Sequence, residues 1–243
     1  MDQVAAYTRL AGVYDELVVD PSYPFWADFI VGVWQPDDAG VSRVLDVCCG
    51  TGLMMAELLE RGYAVVGVDA AAAMLARARE LLGPGVPLIQ ATLPDLGVEG
   101  VFDAAISTFD GLNYLTAEEF GRSVAAIAAR LRPGGWFIFD LHTDVMMAFT
   151  QANPRIVGEE RGHQFVIASN VDPQARTCAT TITMTPPGGD VFSERHEQYF
   201  HSDAQVRSAL ADAGFDHVTV TQEYTAEPPG PATLRATWVA RRA

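Results

Sequence analysis

The chain has 243 residues, 49% of them hydrophobic, enough for the core of one α/β domain with a modest insertion. Its formal net charge is −15, with no lysine and sixteen arginines scattered along the chain, only Arg241 and Arg242 adjacent. Nucleic-acid binding needs clustered basic side chains against the phosphates, so DNA and RNA are excluded as partners and a neutral or cationic small molecule is favoured.

The opening MDQVAAYTRLAGVYDE carries acidic residues where a secretory signal has basic ones, and no charge-free apolar run reaches the roughly 18 residues of a membrane span. A cytoplasmic protein with no membrane partner is expected, as a monomer or homodimer. Cys48 and Cys49 are adjacent and Cys178 stands alone, so neither a disulfide nor a metal site is expected.

In chain order, residues 3–18 and 24–34 read as two short helices bearing Tyr7, Tyr14, Tyr23, Phe25, Trp26, Phe29 and Trp34, followed by a turn at 36–40. Val44–Val47 is a buried strand, Leu53–Arg61 a helix with Gly62 as its stop, and Tyr63–Asp69 a second strand. Ala70–Leu82 is an alanine-rich helix, Val86–Ala91 a third strand and Val101–Phe109 a fourth. Thr116 with Glu119 opens a capped helix that runs to Leu131 and is closed by Arg132-Pro133-Gly134-Gly135, before a fifth strand at Trp136–Leu141. Such near-continuous apolar strands between helices imply a parallel sheet covered on both faces.

After Thr143 the rhythm changes: Phe165–Val171 and Thr177–Thr185 alternate as a hairpin, with Val191–Phe200 as a third strand. Ser202 and Gln205 cap another helix ending at Gly214, and His217–Tyr224 and Ala232–Arg241 close the chain. The expectation is one domain over 1–243, with an N-terminal helical cap at 1–40 and an inserted β element at about 144–201 above the site.

The chemistry centres on Val44-Leu45-Asp46-Val47-Cys48-Cys49-Gly50-Thr51-Gly52, between a strand and a helix. Small residues allow a sharp turn and close approach to a ligand, and the helix start offers unpaired N–H groups. Asp69, seventeen residues after Gly52 at the end of the next strand, is placed to accept hydrogen bonds from ribose hydroxyls. No P-loop is present, and Met55 stands where a dinucleotide fingerprint has its third glycine, which points to a single-nucleoside cofactor rather than NAD.

VLDVCCGTG resembles the first motif of the class I S-adenosylmethionine-dependent methyltransferases, with Cys48 in place of its first glycine. GVDAAAAMLARAR, FDAAISTFDGLNYLT and LRPGGWFIFDLHT resemble later motifs of that family in order, and YTRLAGVYD its N-terminal Tyr-Asp segment. The resemblance implies a Rossmann-like seven-stranded sheet with an antiparallel last strand, helices on both faces, and S-adenosyl-L-methionine as cofactor. It places Asp46, Cys48, Gly50, Gly52, Thr108 and Phe109 near the methionine part and Asp69 on the ribose. Ala70, Met74, Thr92 and Leu93 would border the adenine, with Tyr7 and Tyr14 closing over it. The activity implied is N- or O-methylation of a small metabolite. Alternatives on the same fold are a cyclase or lyase releasing methylthioadenosine, a pericyclase, and a silent cofactor-binding partner.

Methyl transfer requires an aligned, unprotonated nucleophile. His142, just after the fifth strand, is the first candidate base, with His196 and Tyr14 as further candidates. Asn113, Tyr114 and Tyr199, with His142, are the expected acceptor contacts.

Overall fold

The computed structural model of the protein describes residues 6–17, 22–37 and 40–243. The apolar runs form β1 (Arg43–Val47), β2 (Ala64–Asp69), β3 (Leu88–Gln90), β4 (Phe102–Ser107) and β5 (Leu131–His142), of which β1 and β4 are the most deeply buried and β3 is an edge strand. These pair in parallel in the order β3-β2-β1-β4-β5. Between and before them come α1 (Tyr14–Leu17), α2 (Tyr23–Trp34), α3 (Leu53–Glu60), α4 (Ala72–Leu82) and α5 (Ala117–Ala128). Thr116 caps α5 with the expected reciprocal bonds to Glu119.

After β5 the chain forms α6 (Asp144–Ala152), then an antiparallel sheet of β6 (Arg155–Glu160), β7 (His163–Asp172), β8 (Thr177–Thr185) and β9 (Phe192–Tyr199). α7 (Asp203–Asp212) returns to the first sheet, where β10 (Phe215–Gln222) and β11 (Arg235–Arg242) complete seven strands. β11 lies between β5 and β10 and is antiparallel to both.

Alternation along β5 shows why both sheet faces are filled. Phe137 and Phe139 enter a core with Phe120 of α5 and Leu210 of α7, while Ile138 points into the other with Trp26 and Ile30 of α2 and Leu58 of α3. A third, small cluster joins Leu10 to Met184 of β8 and Phe192 of β9.

Several elements differ from the sequence reading. The first expected helix is, within the described residues, a 3-10 turn at Leu10–Gly12 and the short α1; residues 3–5 and 18 lie outside them. β5 starts at Leu131, because a shift in its register with β4 takes up Arg132–Gly135, where Gly134 has φ +71°. α6 lies where the sequence reading begins the inserted β element; Thr143 caps it and Val145, Met146 and Phe149 follow helical spacing, although the helix buries no residue. β6 is an exposed edge strand, with Val157 65% exposed, and left no pattern. Among the described residues no helix is long and apolar enough to cross a membrane.

Candidate functional site

The turn after β1 holds its shape through left-handed backbone at Cys48 (φ +60°), Gly50 (+55°) and Gly52 (+84°). Gly52 starts α3 at φ +84°, which favours glycine, and a Cβ there would stand 2.9 Å from a Leu82 methyl and 3.2 Å from the Ala78 Cβ of α4. At Gly50 the space beside the backbone is open. Its N–H donates to Asp69 Oδ2 at 2.8 Å, and the Ala71 N–H donates to Asp69 Oδ1 at 2.8 Å. Burial pushes the Asp69 carboxyl upward, and these backbone donors oppose the shift.

Asp69 and the glycine turn border a cavity of about 670 Å³. Of the residues expected to touch a cofactor, Tyr7, Tyr14, Cys48, Gly50, Asp69, Ala70, Met74, Thr108 and Phe109 line it, and so does Tyr114. Tyr23, Thr51, Gly111 and Ala71–Ala73 also line it and were not singled out from sequence. Gly111 allows the β4 loop to pass the turn, since a Cβ there would lie 2.6 Å from that of Cys48. Thr51 donates its hydroxyl to Asp15 Oδ1 of α1 at 2.6 Å, tying the N-terminal segment to the turn.

The opposite wall stands on a buried charge network. Phe109 and Asp110 are both left-handed (φ +64° and +52°), and their N–H groups donate to Asp140 at 2.7 and 2.5 Å. Asp140, fully buried at the end of β5, also accepts the Tyr224 hydroxyl at 2.5 Å. The Arg235 guanidinium lies over Phe109 and Trp26, 4.5 and 5.0 Å from the ring centres, and contacts Asp110 at 3.4 Å and Glu223. Burial raises the Asp140 carboxyl, and Arg235 opposes that shift. Neither Asp140 nor Arg235 carried a sequence signal, because their partners are distant in the chain.

Above the cavity a hydroxyl chain runs into the inserted sheet. The Tyr7 and Tyr114 hydroxyls are 2.8 Å apart, and Tyr114 Oη is 2.8 Å from Nδ1 of His196 on β9. His196 is 3% exposed, and burial holds its imidazole below the ordinary value, against the opposing pull of Glu194 and Asp110. Burial pushes the Tyr7, Tyr14 and Tyr114 phenols upward, so all three are neutral hydroxyls at pH 7.

The remaining expected residues lie outside the cavity wall, each for a physical reason. His142 opens instead into a separate hollow of about 250 Å³ with His201 and Trp238, its Nε2 3.6 Å from Asp110 and its ring against Phe200. His196 reaches the cavity only through Tyr114. Asn113 is fully buried and bridges loops: its Nδ2 donates to the Tyr199 carbonyl at 2.7 Å and its Oδ1 accepts the His142 N–H at 3.0 Å. Tyr199, three residues after His196 on β9, falls on the other face of that strand. Thr92 is exposed and Leu93 packs against the core beneath β3. Gly52 faces α4, and Asp46 is buried beneath the turn, its carboxyl without a hydrogen-bond partner among the described residues and pushed upward by burial. His163 is buried near Glu16 and His217 is exposed.

Comparison with known proteins gives a consistent picture. A family of methyltransferase domains matches residues 44–135. The dTDP-3-amino-3,4,6-trideoxy-alpha-D-glucopyranose N,N-dimethyltransferase of Streptomyces venezuelae is 37% identical over 71% of this chain and 75% of its own. The fold is shared with an S-adenosylmethionine-dependent methyltransferase from Clostridium acetobutylicum, at 21% identity, 97% and 98% coverage and a TM-score of 0.85. It is shared as well with the sugar N-methyltransferase KedS8 from a Streptoalloteichus species, at 23% identity, 94% and 90% coverage and a TM-score of 0.73.

Proposed function

The chain belongs to the class I S-adenosylmethionine-dependent methyltransferases, and on that premise we propose that it methylates the amine nitrogen of a small polar metabolite of the amino-sugar kind. The cavity residues fit the cofactor. Asp69 presents a buried carboxylate with both oxygens already oriented by backbone N–H groups, Gly50 leaves open space beside it, and Met74 with Ala71–Ala73 offers an apolar wall for a base. When bound, the cofactor supplies an electrophilic methyl group on a sulfonium.

The chain's own residues then have three tasks. Asp69 and the glycine turn fix the nucleoside end. Tyr7, Tyr14 and Tyr23 enclose the cavity and exclude water from it. The chain from Tyr7 through Tyr114 to His196 takes the proton of an entering ammonium, so that the lone pair is free to attack. A neutral His196 suits that role, and its Nε2 stands 3.7 Å from Glu194, whose charge stabilises the imidazolium that results.

The observation that carries this reading is that hydroxyl chain, which joins the cavity to a buried imidazole through uncharged groups. The amino-sugar class is supported by the named substrate of the Streptomyces venezuelae relative.

The test is incubation with S-adenosylmethionine and a panel of aminodeoxy-sugar nucleotides, simple amines and phenols, with mass analysis of both products. S-adenosylhomocysteine together with an N-methylated sugar supports the reading. Methylation confined to phenols would move it to O-transfer, and methylthioadenosine formed from the cofactor alone would replace it by cyclisation or elimination. Tyr114→Phe, which cuts the chain without changing its shape, is expected to lower turnover by roughly 10²-fold and to flatten the acid limb of the pH–rate profile.

A further inference from the structure

The strap that carries Tyr7 into the cavity is held by the inserted sheet. Three of its backbone N–H groups converge on one side chain of β9. Tyr7 N–H donates to Glu194 Oε2 at 2.7 Å, and the Arg9 and Leu10 N–H groups donate to Glu194 Oε1 at 2.5 and 2.9 Å. Glu194 is 0% exposed. A buried carboxylate is costly unless donors surround it, so this arrangement resists opening of the strap. Around it the packing is shared: the Arg9 guanidinium lies 4.6 Å from the centre of the Phe192 ring, and Leu10 packs with Phe192 and Met184. Tyr7 itself adopts φ +61°, an uncommon conformation for a bulky residue that persists only where the surroundings fix it.

We infer that Glu194 is a positioning residue that fastens the cofactor-closing strap to the acceptor-side sheet, so that closure over S-adenosylmethionine and the placement of the roof are one event. The inference rests on the reading of the cavity as the S-adenosylmethionine site. Glu194 does not line the cavity; it holds the strap through the backbone N–H groups of Tyr7, Arg9 and Leu10, while its carboxylate also stands 3.7 Å from His196. Because coupling between sites is reciprocal, whatever cofactor binding contributes to closing the strap returns as tighter acceptor binding under the same roof.

The Arg9–Leu10 bond is itself a trypsin site, and Arg9 is exposed, so cleavage there reads the strap directly. Glu194→Leu removes all three acceptor contacts. Glu194→Gln keeps one oxygen for Arg9 and Leu10 but turns an amide NH₂ toward the Tyr7 N–H. In Glu194→Leu, cleavage after Arg9 in the ligand-free protein should accelerate roughly tenfold or more, and the Kd for S-adenosylmethionine should rise by a similar factor; Glu194→Gln should fall between. Cleavage at the other arginines should keep its rate, which separates a freed strap from general unfolding.

Unchanged strap cleavage and unchanged cofactor affinity in a variant that melts like the wild type would overturn the inference. Should neither variant fold, hydrogen exchange on the wild-type protein decides it. Slow exchange at the Tyr7, Arg9 and Leu10 amides, slowed further by S-adenosylmethionine, supports the fastening, and exchange at the rate of an unstructured peptide refutes it. If the wild-type protein does not bind S-adenosylmethionine, the site reading falls. Cleavage after Arg9 in ligand-free Glu194→Leu then still decides whether Glu194 fastens the strap.

Discussion

The two sides of the cavity are built from different materials. The side at the ends of β1 and β2 consists of backbone and small residues: left-handed turns at Cys48, Gly50 and Gly52, N–H groups aimed at Asp69, and a run of alanines. The opposite side consists of large side chains from five separate segments, with Tyr7, Tyr114 and His196 joined by hydroxyls and Phe109 held up by Asp140 and Arg235. The first is fixed by local geometry and suits a ligand that does not vary. The second depends on contacts between residues as far apart as 7 and 194, and can change its side chains without disturbing the turn.

Four substitutions would break or sharpen that contrast. The largest effect is expected at Asp140, the support of the side-chain wall. Asp140→Ala leaves the Phe109 and Asp110 N–H groups and the Tyr224 hydroxyl without their buried acceptor, and should cost roughly 3–5 kcal/mol in urea unfolding. A loss below about 1 kcal/mol would mean that water replaces the carboxylate and that the wall is less buried than described.

Next comes His201, where the inserted sheet rejoins the body. It is 7% exposed, stacks on Phe120 with ring centres 4.5 Å apart, and burial lowers it to about 4. Its folded value lies below its unfolded one of about 6.5, so the unfolded chain takes up a proton that the folded chain refuses. Stability from this group is therefore complete above pH 6.5 and declines by up to about 3 kcal/mol as pH falls toward 4. Asp46, Asp69 and Asp140 are raised by burial and act in the opposite sense, so the comparison is wild type against His201→Phe, relative to which the wild type should lose unfolding free energy as pH falls. Parallel curves from pH 8 to pH 5 would remove His201 from the account.

Asp69→Ala tests the backbone wall. It should weaken S-adenosylmethionine binding by roughly 1.5–3 kcal/mol in a calorimetric titration; unchanged affinity would sink the ribose assignment. The smallest effect is expected at His142, which opens into the other hollow. His142→Ala should leave turnover within about threefold, whereas a general base there would cost roughly 10²–10⁴-fold.

The same contrast explains how much could be read from the sequence. The parallel sheet and the turn were legible, and with them the positions of Asp69 and Met74 beside the cavity, because strand, turn and helix follow one another locally and each has its own periodicity. His142 looked like the base because it follows β5 at the edge where ligands bind in such sheets. Its ring turns instead toward Asp110 and Phe200, which no local pattern encodes. Glu194 and Arg235 were invisible for the same reason: each acts on partners more than a hundred positions away. Thr92 and Leu93 were placed by position after β3, but the chain there turns outward and downward rather than along the cavity.

β11 runs against β5, with Arg235 opposite His142. The parallel strands bring their last residues to the ligand edge, whereas this strand brings its first. The cation that faces Asp110 and lies near Asp140 therefore comes from residue 235, long after the turn at residue 50 has been synthesised. A growing chain that already holds the glycine turn, Asp69 and five parallel strands still has two carboxylates without their guanidinium. The pocket is begun early in translation and becomes electrostatically complete only when β11 has slid between β5 and β10.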